Sequence, residues 1–143
     1  MQILMLNGCG ILSQLADMGV FHALVSTFLA VLFIQSGLDK AFHYSGNLDW
    51  LKGHFSASFL AGTVPALLSV LTFVELSAGM LSAVGALEAL FYGTYCFSFG
   101  GTLLSGITLV MLFFGQRVAK DYAGAASLVP YFILVVIHLV FLM

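Results

Sequence analysis

Residues 122–143, YAGAASLVPYFILVVIHLVFLM, contain no Asp, Glu, Lys or Arg. A run of this length supplies the roughly 20 mostly apolar residues that an α-helix needs to cross about 30 Å of hydrocarbon. The same test, carried toward the N-terminus, finds three more intervals poor in charge. They run from Ala89 to Gln116, from Gly53 to Leu87 with only Glu75 inside it, and from Met18 to Leu38. Across all 143 residues, 62% are hydrophobic and 7% charged, and the mean hydropathy is +1.13. A soluble domain carries about 25% charged residues, so the solvent of this chain is lipid.

The expected fold class is an all-α integral membrane protein, a single domain built as a bundle of four transmembrane helices. Working spans are 21–40, 61–84, 92–114 and 125–142, with Gly100-Gly101 read as part of a continuous third helix. Pro65 and Pro130 are placed near the starts of their helices, where a missing N–H costs least. Residues 1–17 are apolar but include Asn7, Gly8, Gly10, Ser13 and Gln14, and they read as an N-terminal interfacial segment rather than a fifth span. No Lys or Arg precedes their apolar run, so the positive leader of a secretory signal is not expected.

With four Lys or Arg, six Asp or Glu and a net charge of −2, the chain lacks the clustered cations that phosphate backbones demand. Nucleic acid is excluded as a partner. Cys9 and Cys96 form neither a Cys-x-x-Cys pair nor a zinc-type spacing, and they read as small apolar residues, with a disulfide left open. The four cations fall in two connections, Lys40 and Lys52 around the first, Arg117 and Lys120 in the third. The bias of Lys and Arg toward the cytoplasm then places loops 41–60 and 115–124 inside.

Without a hydrophobic force between helices in lipid, association relies on small residues and on polar groups that meet. Stripes of that kind recur at steps of three and four: Ser26, Ala30, Phe33, Gly37 and Lys40; Ser69, Thr72, Glu75, Gly79, Ser82 and Ala86; Thr94, Ser98, Gly101, Ser105 and Thr108; Ser127, Tyr131, Leu134 and His138. Such spacing aligns each set along one helix face.

Glu75 is the most informative residue, because a carboxylate deep in a bilayer costs several kcal/mol unless it finds a partner or a proton. His138 and Lys40 are its candidate partners. Glu75, Lys40 and His138 therefore form the candidate polar site, read either as a proton- or quinone-contacting group or as interhelical bonds that hold the bundle. Lys40 shares the Gly37 face and points inward, whereas Asp39 lies about 100° away from it. A haem or metal on His138 needs a second ligand on a facing helix. His22 is the one histidine placed near it, which is too little to predict a metal or haem.

Arg117, Lys120, Asp121 and Tyr122 make the one concentrated polar stretch, a candidate contact for headgroups or a partner, with Arg117 and Asp121 spaced to pair over one helical turn. The first connection holds Trp50 with Tyr44, Asn47, Asp49, Lys52, His54 and Phe55. It reads as an interfacial amphipathic segment, a lid or a docking surface. No nucleotide loop, metal cluster or nucleophile with an evident base is present, so no catalytic residue is assigned and no cofactor is expected on this chain, although a quinone or lipid contact is open.

The run from Ser26 to Lys40 resembles the first helix of the DoxX family, in which an arginine is followed by small, Phe, Gly and Lys positions spaced as Ala30, Phe33, Gly37 and Lys40 are here. Val74-Glu75-Leu76-Ser77-Ala78-Gly79, followed by Gly85, resembles that family's second-helix Glu-Leu-x-x-Gly element. The resemblance spans roughly residues 20–142, and it departs at Ser26, where the family usually has arginine. It implies a small inner-membrane protein of four spans. Some members serve as subunits of quinone-linked oxidoreductases, including thiosulfate oxidation, and a eukaryotic relative is a receptor-assembly chaperone. The expectation is an accessory or anchor subunit of a bacterial respiratory complex, working beside larger membrane subunits. An assembly factor is the alternative, and a small-molecule transporter ranks last.

Overall fold

A computed structural model describes residues 18–143. The expected interfacial segment over 1–17, and with it Cys9 and any disulfide to Cys96, lies outside the described residues. Five α-helices follow: α1 (Met18–Phe42), α2 (Tyr44–His54), α3 (Val64–Phe91), α4 (Cys96–Val118) and α5 (Tyr122–Leu142), with a 3-10 turn at Ala61–Thr63 leading into α3. All but α2 are long and apolar enough to cross a membrane. The chain is an all-α, multi-pass membrane protein whose four spans alternate in direction.

The spans pack in the order α1, α3, α4, α5, with α1 against α3 the largest interface. Close approach depends on glycine. A Cβ on Gly79 would stand 2.8 Å from the backbone nitrogen of Ile34, and one on Gly101 would stand 2.7 Å from that of Ser82. The middle of the bundle is an apolar plug of Val25, Leu29 and Phe33 from α1, Ala78 from α3, Leu109 from α4 and Val135 from α5. Exposed aromatic residues mark both ends, Phe42, Trp50, Phe59 and Tyr122 at one, Phe91 and Tyr92 at the other, as rings at the two membrane interfaces should.

Helix ends differ from the expected boundaries for local reasons. The third span starts at Cys96, not at residue 92, because α3 runs on through Glu88 to Phe91 and turns at Gly93, whose φ of +62° is left-handed. Glu88 then reaches across the turn. Its Oε1 accepts from Cys96 N at 3.2 Å and from Thr94 Oγ1 at 2.9 Å, and its Oε2 from Phe97 N at 2.8 Å. A carboxylate on the unpaired N–H groups of a helix start is favoured by both hydrogen bonding and the helix dipole. Pro130 is the other correction. It lies inside α5 rather than near its start, so the helical bond to the carbonyl of Ala126 is missing there.

Three stripe residues also fall elsewhere than expected. Ser69 and Ser127 are exposed, and Thr94 precedes its helix. The serines bond to their own helices, Ser69 Oγ to Pro65 O at 3.0 Å and Ser127 Oγ to Gly124 O at 2.7 Å. A hydroxyl satisfied by its own backbone can face outward.

Candidate functional site

The structure divides the expected polar site in two. Glu75, fully buried on α3, meets α1: Lys40 Nζ lies 3.0 Å from Oε2, and Ser36 Oγ donates to Oε1 at 3.2 Å. The lysine in turn donates to Ser36 Oγ at 2.7 Å and to Ser36 O at 3.3 Å. Local sequence explains the geometry. Ser36 and Lys40 are one turn apart on α1, and Gly37 between them lets Leu76 of α3 lie against the helix. The long lysine stem then brings its ammonium inward from near the end of α1 to the carboxylate, the geometry that compensates a buried charge.

His138 is not part of this group. It is fully buried toward the opposite end of the bundle, where its Nε2 is 3.0 Å from His22 Nδ1 and its Nδ1 is 2.8 Å from Thr102 Oγ1. One assignment of protons satisfies every contact. Thr102 Oγ1 donates to Ser98 O at 2.7 Å, so it accepts from His138 Nδ1–H, which leaves His138 Nε2 as the acceptor for His22 Nδ1–H. Tyr95 packs over His22 with ring centroids 4.5 Å apart, and Phe21 meets both imidazoles edge-on. Next to this pair, Ser26 Oγ and Ser98 Oγ are 3.0 Å apart, and Ser98 Oγ donates to Gly85 O at 2.9 Å. Four helices are joined by one polar network.

At 3.0 Å the two imidazole nitrogens are in hydrogen-bond contact, and among the described residues no three His, Cys, Asp or Glu groups gather as a metal site would require. The pairing of His22 with His138 joins positions 116 residues apart. The sequence had only their placement near one another to offer. The Ser26–Ser98 bond falls where the resemblance expects arginine, so this position meets α4 rather than Glu75.

The charged stretch near α5 also sorts itself. Arg117 lies over the ring of Tyr122, 4.7 Å from its centroid, instead of pairing with Asp121. Asp121 caps α5 by accepting from Gly124 N at 2.8 Å. Lys120 takes a left-handed φ of 62° and closes α4, with Asp121 N donating to Gln116 O and Lys120 N to Arg117 O, the bond pattern of a Schellman motif. Trp50 stacks on His54 with centroids 4.5 Å apart, and His54 Nε2 reaches Gln116 Oε1 at 3.1 Å. The short helix α2 is thereby tied to the α4–α5 connection.

Compared with known protein families, with characterised proteins and with solved structures, the chain matches none.

Proposed function

We propose that this protein is a small accessory or anchor subunit of a quinone-linked oxidoreductase complex in a bacterial inner membrane, with loops 41–60 and 115–124 on the cytoplasmic side. The chain contributes packing and position, and larger subunits perform the chemistry. The observation that carries this reading is the enclosure of Glu75, which has no exposed surface and is held by Lys40 and Ser36. A carboxylate so compensated pins α1 to α3.

The apolar plug supports the same reading over a transporter. On α1 it separates the Glu75 group from the histidine group, with Leu29 and Phe33 filling the helix between Ser26 and Ser36. A substrate path through a single bundle needs a wet interior, whereas the polar residues at this depth, Ser82, Ser105 and Thr108, are themselves fully buried among packed side chains. The resemblance to the DoxX family supplies the link to respiratory complexes.

The test is purification from native membranes in a mild detergent, followed by mass spectrometry and a visible absorption spectrum. A stoichiometric partner bearing haem or flavin is expected, and Glu75→Gln should weaken the complex without altering the partner's own spectrum. A colourless assembly containing this chain alone would overturn the proposal.

A further inference from the structure

The cavity beneath α2 has a different character from the lipid-facing grooves elsewhere. It encloses about 250 Å³ between α2, the start of α3 and the end of α4. Its walls include Leu60, Val64, Leu68, Leu71 and Met111, and its polar groups, Trp50, His54 and Gln116, belong to α2 and the last turn of α4. An apolar chamber with a few convergent polar groups is the usual form of a small-molecule site. This volume is just below the common range for such sites, which start at about 300 Å³, so an elongated ligand would leave part of its tail in the bilayer.

The polar end defines the head that fits. Gln116 Oε1 accepts from His54 Nε2, which leaves the Gln116 NH₂ group, with no hydrogen bond among the described residues, free to donate. The Trp50 indole N–H is in the same condition. Both are donors to an oxygen acceptor. No Lys, Arg, Asp or Glu lines the cavity, and the charged group closest to His54 is Asp121, its Oδ2 4.0 Å from His54 Nε2. An anionic head would find no cation in the lining to pair with.

We propose that this cavity binds a neutral, single-tailed lipid whose head carries a hydroxyl or carbonyl oxygen. The head accepts from Gln116 and Trp50, and the tail lies along Leu68, Leu71 and Met111. α2 is the roof of the site, fixed in place by the His54–Gln116 bond. This site is separate from the Glu75 group and stands or falls independently of the subunit reading.

Trp50 is the chain's single tryptophan, so its fluorescence reports on the roof without labelling. The full-length protein in maltoside micelles is titrated with a brominated monoacylglycerol, whose bromines quench indole on contact. Saturable quenching is expected from this neutral probe, and weaker quenching by at least tenfold in concentration from a brominated fatty acid of the same chain length. Leu71→Phe fills the chamber and should abolish saturation. Gln116→Leu, which removes both the donor to the head and the His54 bond that holds the roof, should weaken binding by at least about tenfold, the effect of losing one buried hydrogen bond. Val140→Phe, on the exposed face of α5, should behave as the parent protein. Non-saturable quenching that is equal for both probes, or saturation unaffected by Leu71→Phe and Gln116→Leu, would overturn the proposal, as would preference for the anionic probe.

Discussion

Ser98 donates a hydrogen bond to the carbonyl oxygen of Gly85 across the α3–α4 interface at 2.9 Å, and this contact exists because position 85 has no side chain. A Cβ there would stand 2.5 Å from Ser98 N and 2.6 Å from Ser98 Cα. Both neighbours are backbone, so no rotamer change relieves the clash. Gly85→Ala should therefore separate α3 from α4 and lower the melting temperature in detergent by many degrees. Gly46→Ala is the matched control. Nothing lies within 4 Å of a Cβ at that position of α2, and replacing a helical glycine by alanine there should stabilise by about 0.5–1 kcal/mol. Equal behaviour of the two variants would contradict the close packing of α3 and α4.

Removing Lys40 alone should do more harm than removing both partners of its ion pair. Lys40→Met leaves Glu75 buried without its cation, a change that costs about 3–5 kcal/mol in buried pairs. Lys40→Met combined with Glu75→Gln removes the charge on both sides, and Ser36 still donates to the amide oxygen. The double variant should recover most of the loss. A double-mutant cycle measured by chemical unfolding in micelles checks this, and additive losses would show that the two side chains are not coupled.

His138→Leu should destabilise the bundle by about 1–3 kcal/mol, because it leaves His22 Nδ1–H without an acceptor, while Thr102 keeps its bond to Ser98 O. The apolar replacement keeps the volume but not the bonds. Combining it with His22→Leu and Thr102→Val removes all three groups and should restore part of the stability. Thermal unfolding of the single and triple variants decides the matter. A triple variant less stable than His138→Leu would mean that the network contributes more than the cost of its orphaned groups.

Lys120 has the left-handed backbone that glycine adopts without strain, and in an L-residue this conformation costs on the order of 1 kcal/mol. Lys120→Gly should raise the unfolding free energy by a similar amount while preserving the turn. Its side chain is exposed, so little packing is lost. A fall in stability would show that the ammonium group makes a contact worth more than the strain.

The four spans and much of the α1 face were legible because both follow from local pattern. Charge-free length reports on the bilayer, and Ser26, Ala30, Phe33 and Gly37 are all buried. Elsewhere the pattern misled. Ser69 and Ser127 share the spacing of buried positions, yet bonds to their own helices satisfy their hydroxyls on the outside. Glu88 looked like the polar boundary between two spans, and it caps the next helix from within the preceding one. Glu75 had two candidate partners in the sequence, and the reach of Lys40 from the next turn beyond Ser36 could be weighed only with α1 and α3 in register. The histidine pair joins residues from opposite ends of the chain, for which local periodicity carries no signal.

The Leu29–Phe33 plug gives the bundle the character of an insulator between two electrodes. The four cations gather at the end with Glu75, and His22 and His138 occupy the other, with His22 fourteen residues of α1, or about 21 Å, from Ser36 along the axis. Among the described residues no continuous chain of hydrogen bonds joins the two ends, because the buried hydroxyls between them, Ser82, Ser105 and Thr108, bond to neither group. Each group is therefore a separate enclosed unit, and one small domain holds two different chemical environments.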